Sequence, residues 1–237
     1  MLFRSLEFMV EKRSLKRENI DVVHNGAPIS DFQRAEKGVV DSIRAELGIP
    51  HDVPVIGSVS RLAEQKGLTY FLDAAAEVLK DRPDARFVIV GDGPLLGDLK
   101  DQSKRQGTAH AVTFTGYRAD VRSIQSVFDV YVISSLWEGG PLTVFEAMAM
   151  GCPIVSTPVA RLKEVLVHEE NALLAEERDG SGLARGILRF IDDPHYARRL
   201  GEEAARGCAQ YDIQLAVDRM QEIYVEMLQG RRRVPAA

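Results

Sequence analysis

Val130-Tyr131-Val132-Ile133 is followed, after four intervening residues, by Glu138-Gly139-Gly140-Pro141-Leu142-Thr143-Val144-Phe145-Glu146-Ala147-Met148-Ala149-Met150-Gly151-Cys152-Pro153-Ile154-Val155. The first run is apolar at every position and predicts a buried strand; 142–150 predicts an apolar helix, and 153–156 a second strand. Strand, helix and strand, with both strands apolar on both faces, make a unit of a parallel sheet covered by helices on both sides. The same stretch carries chemistry. Glu138 stands in a loop and Glu146 on the helix, eight positions apart, with a Gly-Gly-Pro turn between them. A helix start leaves amide N–H groups open and favours phosphate. Carboxylates on either side can hold hydroxyl groups such as those of sugars. Nearly every neighbour of Glu146 is apolar, and a carboxylate is costly to bury without partners. A pair of ligand hydroxyls is a suitable partner.

Outward from this unit the pattern repeats. Strands are expected at 53–59, 86–90, 111–114 and 172–174. Helices are expected at 68–79, from the Gly93-Pro94 turn to about 105, and at 121–128. After Gly182 the chain reads as helical, at 182–191, 195–209 and 213–228. Before the regular part come an opening helix over about 2–16, a short strand at 20–23, a turn at His24-Asn25-Gly26 and a helix at 34–47. The fold expected is α/β, a Rossmann-like doubly wound parallel sheet with C-terminal helices.

Composition narrows the function. The 237 residues carry a formal net charge of -5, and the one basic cluster is Arg231-Arg232-Arg233 near the C-terminus. A nucleic-acid partner is therefore not expected. There are two cysteines, Cys152 and Cys208, and no Cys-x-x-Cys, which argues against a zinc framework or redox pair. No apolar run approaches the roughly 18 residues needed to span a bilayer, and the charged N-terminus does not read as a signal peptide. A cytoplasmic protein is the expectation. The five histidines lack ligand spacing and no Asp-x-Asp occurs, so no metal site is expected.

In a doubly wound sheet, ligands bind beyond the carboxyl ends of the strands. The loops 60–67, 91–94, 116–120 and 134–143 all follow strands and should share one edge. In the first, Arg61 and Lys66 suit a diphosphate: Arg binds oxygens in a fork and Lys acts as a point charge. The bland alternative is a solvated basic loop paired with Glu64. In the second, Gly91-Asp92-Gly93-Pro94-Leu95-Leu96-Gly97 nearly copies the dinucleotide fingerprint. Its third glycine is one place late, and no acidic residue ends a following strand some 20 positions on to grip a ribose. It reads as a tight turn beside the ligand, with an NAD-binding domain as the competing reading.

Ser60-Arg61-Leu62 with Lys66-Gly67, Gly91-Asp92-Gly93-Pro94, Phe114-Thr115-Gly116-Tyr117 and Glu138 through Val155 together resemble, in order and spacing over about 19–228, the retaining glycosyltransferases of the GT-B fold, group 1 or family 4. His24-Asn25-Gly26-Ala27 is similar to that family's turn from acceptor to donor domain. The resemblance implies one half of a GT-B fold that binds the donor. Arg61 and Lys66 would neutralise its diphosphate, Glu138 would contact the transferred sugar and Glu146 would hold the ribose hydroxyls. Gly139, Gly140, Leu142 and Thr143 would offer backbone amides, Tyr117 and Arg118 would line the base, and Gly57, Gly91 and Gly93 would complete the donor site. The donor would be a UDP-, GDP- or ADP-sugar, transferred with retention and without a bound metal, to an acceptor glycan, lipid or small molecule.

Two departures stand out. Val159-Ala160-Arg161-Leu162-Lys163 lacks the family's Gly-Gly pair before the glutamate matched by Glu164. The family also carries an N-terminal acceptor domain. Residues 1–18 would be a remnant of that domain, 19–230 the donor domain and 231–237 a basic tail. A separate acceptor domain would supply the other wall of the cleft and any peripheral contact with a membrane. The alternative is a nucleotide-sugar-binding module without transferase activity.

Overall fold

The computed structural model describes Val10, Lys16, Arg17 and residues 20–229 apart from Pro141 and Arg161. The expected opening helix and basic tail lie almost wholly outside the described residues.

Six strands, β1 (Val55–Val59), β2 (Arg86–Val90), β3 (Val112–Gly116), β4 (Val130–Ile133), β5 (Ile154–Ser156) and β6 (Leu173–Leu174), form one parallel sheet in the order β3-β2-β1-β4-β5-β6. The chain winds outward from β1 to β3, then returns to lay β4 on the other side of β1. Ile56 lies opposite Phe87 on one side and opposite Val130 on the other. Winding therefore reverses between β1 and β4, and loops leaving those two strands part there to form a crevice.

Strand alternation divides the core into two. Val88, Val90, Tyr131 and Ile133 face one side, while Phe87, Ile89, Val130 and Val132 face the other. Helices α1 (Lys37–Glu46), α4 (Val121–Gln125) and α5 (Leu142–Ala149) cover the first face. Helices α2 (Leu68–Asp81), α3 (Leu96–Arg105) and α6 (Gly180–Asp192) cover the second. Helix α2 shows why: Leu68, Phe71, Leu72, Ala75 and Val78 recur at helical spacing and are buried. Helix α7 (Pro194–Cys208) adds Leu200 to one core and Ala204 and Cys208 to the other. Asp179, Asp193 and Asp212 cap α6, α7 and α8 (Ile213–Leu228) by accepting from first-turn amides.

Two expectations are corrected. Residues 20–23 form no strand. Val22 and Val23 are half-buried, and the nearest sheet-like contact is a bridge from Ala27, four residues beyond, to Asp212. Four apolar-leaning residues make a strand only where a neighbouring strand accepts their hydrogen bonds. The helix expected at 121–128 ends at Gln125. Ser126 N–H turns back onto Arg122 and Ser123, and Phe128 enters the core. There Phe128 packs on Gly57, where a β-carbon would come within 2.2 Å of its ring.

Candidate functional site

The loop after β1 and the loop after β4 are laced together at the crevice. Leu136 N–H donates to the Gln65 carbonyl (2.8 Å), and Ser134 Oγ donates to the Lys66 carbonyl (2.9 Å). Gln65 Nε2 donates to the Trp137 carbonyl at 3.0 Å. Gly67 sits at φ 56°, and a β-carbon there would lie 2.1 Å from the Ser134 carbonyl oxygen, so only glycine permits this approach. On this frame Lys66 Nζ meets Glu138 Oε1 at 2.7 Å. The Glu138 side chain is only 4% exposed and that of Lys66 20%. Glu64 is not the partner of Lys66, contrary to the bland reading of this loop. Ser135 Oγ donates to the same Glu138 Oε1 at 2.5 Å, and Gln65 Nε2 reaches Oε2 at 3.5 Å. Such a carboxylate is affordable only with charge-assisted partners.

Glu146 is the opposite case. It lies on α5, part-buried among Val144, Phe145, Ala147 and Met148, which are all buried. No described residue donates a hydrogen bond to its carboxylate, and burial pushes its pKa up. Beneath it lies Tyr131, fully buried, with a phenol that donates to the Val59 carbonyl at 3.3 Å and also meets Thr143. Burial raises the phenol's pKa further, and the charge of Glu146 adds to that shift. An uncompensated carboxylate beside the open amides of a helix start can accept hydroxyl groups next to a bound phosphate.

The glycine turn after β2 closes on the Arg61 loop. Leu62 N–H donates to Asp92 O (2.9 Å) and Leu95 N–H to Leu62 O (3.1 Å). A β-carbon on Gly91 (φ 130°) would lie 2.0 Å from the Ser60 carbonyl oxygen, and one on Gly93 would lie 2.4 Å from that of Leu62. These glycines shape the loop from behind. Arg61 is exposed, and among the described residues nothing pairs with it. Gly139 and Leu142 are exposed, and Thr143 is half-buried behind them. Gly140 has φ 131°, and the Asn25 amide of the preceding linker lies alongside, 4.0 Å from where a β-carbon would stand.

Other expected residues are not drawn into this cluster. Gly57 is inside β1 and serves packing against Phe128. Tyr117 is 81% exposed beyond β3, the edge strand. Arg118 gives its guanidinium to Glu46 of α1 and to Asp120 (2.7 Å), and it lowers the pKa of both carboxyls. Glu164 ends a single 3-10 turn, Leu162–Glu164, in the segment that lacks the family's Gly-Gly pair. Sequence reasoning passed over Ser135, Gln65, Thr157 and Tyr131. The available signal was Ser135-Leu136-Trp137-Glu138, a hydroxyl three residues before a carboxylate at a strand's end. Among the described residues no group of three or more His, Cys, Asp or Glu is arranged to hold a metal, and no helix is long and apolar enough to cross a membrane.

A cavity of about 560 Å³ lies elsewhere, at the amino ends of β1, β4 and β5, between Arg34, Arg44, Asp129, Phe190 and Arg198. Arg44 there is spent on the carbonyls of Pro50, His51 and Val53 and on Asp129. The opposite edge, where winding reverses and the laced loops meet, is the better candidate.

Known proteins resemble this chain in sequence and fold. A galactosyltransferase of Escherichia coli, named for UDP-Gal and GlcNAc-diphosphoundecaprenol, is 29% identical over 231 residues, covering 94% of this chain and 58% of its own length. The Anabaena HepE structure in complex with UDP-glucose superposes with a TM-score of 0.84 at 25% identity, over 94% of this chain and 61% of that one. The C-terminal domain of the group 1 glycosyl transferase LpcC from Francisella tularensis superposes with a TM-score of 0.70 at 25% identity. That match covers 78% of this chain and 97% of the domain. The chain thus spans little more than half the length of its first two comparators. With the model for glycosyl transferases group 1 matching residues 39–207, and with the laced loops, glycine turns and paired carboxylates in the places described, this chain belongs to the group 1 glycosyl transferase family.

Proposed function

We propose that this chain is the donor-binding half of a retaining glycosyltransferase that uses a nucleotide-diphosphate sugar. The observation that carries the reading is the convergence, at the β1–β4 switch point, of the Lys66–Glu138 pair and the α5 start with Glu146 behind it. Two relatives support the donor class: the Escherichia coli enzyme is named for UDP-Gal, and HepE was crystallised with UDP-glucose.

In this reading Arg61 and Lys66 neutralise the diphosphate and the first-turn amides of α5 hold its oxygens. Glu146 accepts from the ribose hydroxyls, and Glu138 accepts from hydroxyls of the sugar. Transfer breaks the bond from the anomeric carbon to the phosphate oxygen and forms one to an acceptor hydroxyl oxygen, whose proton passes to the leaving diphosphate. Negative charge grows on the leaving diphosphate, where the fixed cations and the helix start stabilise it. The neutralising charge is read as that of the side chains themselves, with no metal required. The acceptor is a glycan, lipid or small molecule, held by a domain that completes the cleft, and the protein works in the cytoplasm or at a membrane surface.

Calorimetry with UDP-, GDP- and ADP-glucose tests the reading. One of the three is expected to bind, and Arg61→Ala is expected to weaken it about tenfold, the scale of one charged hydrogen bond at ~1.5–3 kcal/mol. Absence of binding to all three, or no effect of the substitution, overturns it.

A further inference from the structure

Glu138 Oε1 is shared. Lys66 Nζ lies 2.7 Å from it and Ser135 Oγ lies 2.5 Å from it, while Oε2 has only the long 3.5 Å approach of Gln65. Ser135 is 2% exposed, and its hydroxyl goes to this carboxylate. Its carbonyl is in turn held by Thr157 Oγ1 at 2.6 Å, and Thr157 N–H donates to Ile133 O at 2.9 Å. Thr157 is 1% exposed and directly follows β5. The carboxylate is thus tied through Ser135 and Thr157 to the ends of two central strands, and through Lys66 to a loop.

The two ties behave differently when a diphosphate arrives. Lys66 is a mobile point charge on a long stem, and a doubly charged diphosphate competes with Glu138 for it. The Ser135 tie is short, buried and built on rigid strands, so it persists. Building on the nucleotide-sugar reading above, we propose that Ser135, backed by Thr157, is the positioning residue that holds Glu138 when Lys66 turns to the diphosphate. It fixes Oε1 and leaves Oε2 aimed at the hydroxyls of the transferred sugar. Ser135 touches no ligand. Its contribution appears only in contacts made by the sugar, because the diphosphate contacts do not pass through Glu138.

Affinities for a nucleoside diphosphate and its glucose conjugate separate this role from a packing role. The parent chain and Ser135→Ala are titrated with UDP and UDP-glucose, or with the GDP or ADP pair if the parent prefers that base, and Tm is recorded for each. Ser135→Ala is expected to keep the diphosphate affinity within about twofold. The extra affinity conferred by the sugar is expected to fall about tenfold, the scale of one hydrogen bond to a charged group. Ser135→Thr, which keeps the hydroxyl, restores it. Thr157→Val, which removes the hydroxyl but keeps the shape, gives the same split, and Thr157→Ser restores it; this pair decides the matter if Ser135→Ala does not fold. Equal loss for both ligands, or loss for neither, overturns the positioning role and leaves the nucleotide-sugar reading standing. Failure of the parent to bind any pair removes that reading and the proposal with it.

Discussion

Glu146 illustrates how one carboxylate can oppose stability and favour binding. Burial raises its pKa in the folded chain above the ordinary carboxylate value, and no described residue compensates it. The stabilisation associated with its protonated form is therefore complete below the unfolded pKa and lost as pH rises through the folded one. At neutral pH the ionised group is a net cost. Glu146→Gln is expected to raise Tm of the ligand-free chain at pH 7 and to leave it unchanged near pH 3, which a pH series of thermal melts checks. The same substitution is expected to weaken nucleotide-sugar binding about tenfold or more, since hydrogen bonds to a charged acceptor contribute ~1.5–3 kcal/mol. Between the ordinary and the raised pKa, donor binding should also release a proton, visible as a dependence of calorimetric heat on buffer. Both acids, Arg61 and Lys66 were legible in the sequence because charged residues among apolar ones or at a strand's end stand out. Ser135 and Thr157 were not. The three-residue spacing from Ser135 to Glu138 gains meaning only once the carboxylate is seen to turn back toward the hydroxyl, and Thr157, 22 positions from Ser135, has no local signal at all.

At the scale of elements, the turn after β2 controls the loop after β1. Gly93 has backbone on the side where a side chain would go: Leu62 O at 2.4 Å, N at 2.7 Å and C at 2.8 Å from a built β-carbon. Backbone cannot rotate away as a side chain does, so the Arg61-Leu62 segment must move. Gly93→Ala is expected to cost ~1–3 kcal/mol, the usual scale of overpacking. At ~2–4 °C per kcal/mol for a domain of this size, Tm should fall by several degrees. Donor affinity should fall with it, although Gly93 need not touch the ligand. Gly97, in the first turn of α3, has nothing within 4 Å of a built β-carbon. Gly97→Ala should be neutral or slightly stabilising in the same melts. The near-copy of the dinucleotide fingerprint thus divides by position. Its first two glycines serve close approach to the neighbouring loop, and the third is dispensable. Strands at 86–90 and 130–133 were legible to the residue because four consecutive apolar side chains in each suit a strand buried on both faces. Residues 20–23 carried a weaker form of that signal and found no partner strand.

For the whole molecule, the strand order decides what the site can be. In the reading proposed above, the residues gathered at the β1–β4 crevice serve the donor, and the acceptor is held by a domain that completes the cleft. The chain by itself is therefore expected to bind a nucleotide sugar without transferring the sugar. A radiolabelled-donor assay, with and without a partner polypeptide that supplies the acceptor side, checks this; efficient transfer by the chain alone contradicts it. Periodicity and turn chemistry in the sequence determined the α/β class and nearly every element, because these depend on neighbours a few residues apart. Only the tertiary structure decided that β4 lies beside β1, that Lys66 meets Glu138 rather than Glu64, that Arg118 is spent on Glu46, and that Ser135 anchors the carboxylate. Those pairings join residues 72 positions apart, or depend on which backbone closes over which. Their energies arise from burial and close packing, which no local pattern in the chain encodes.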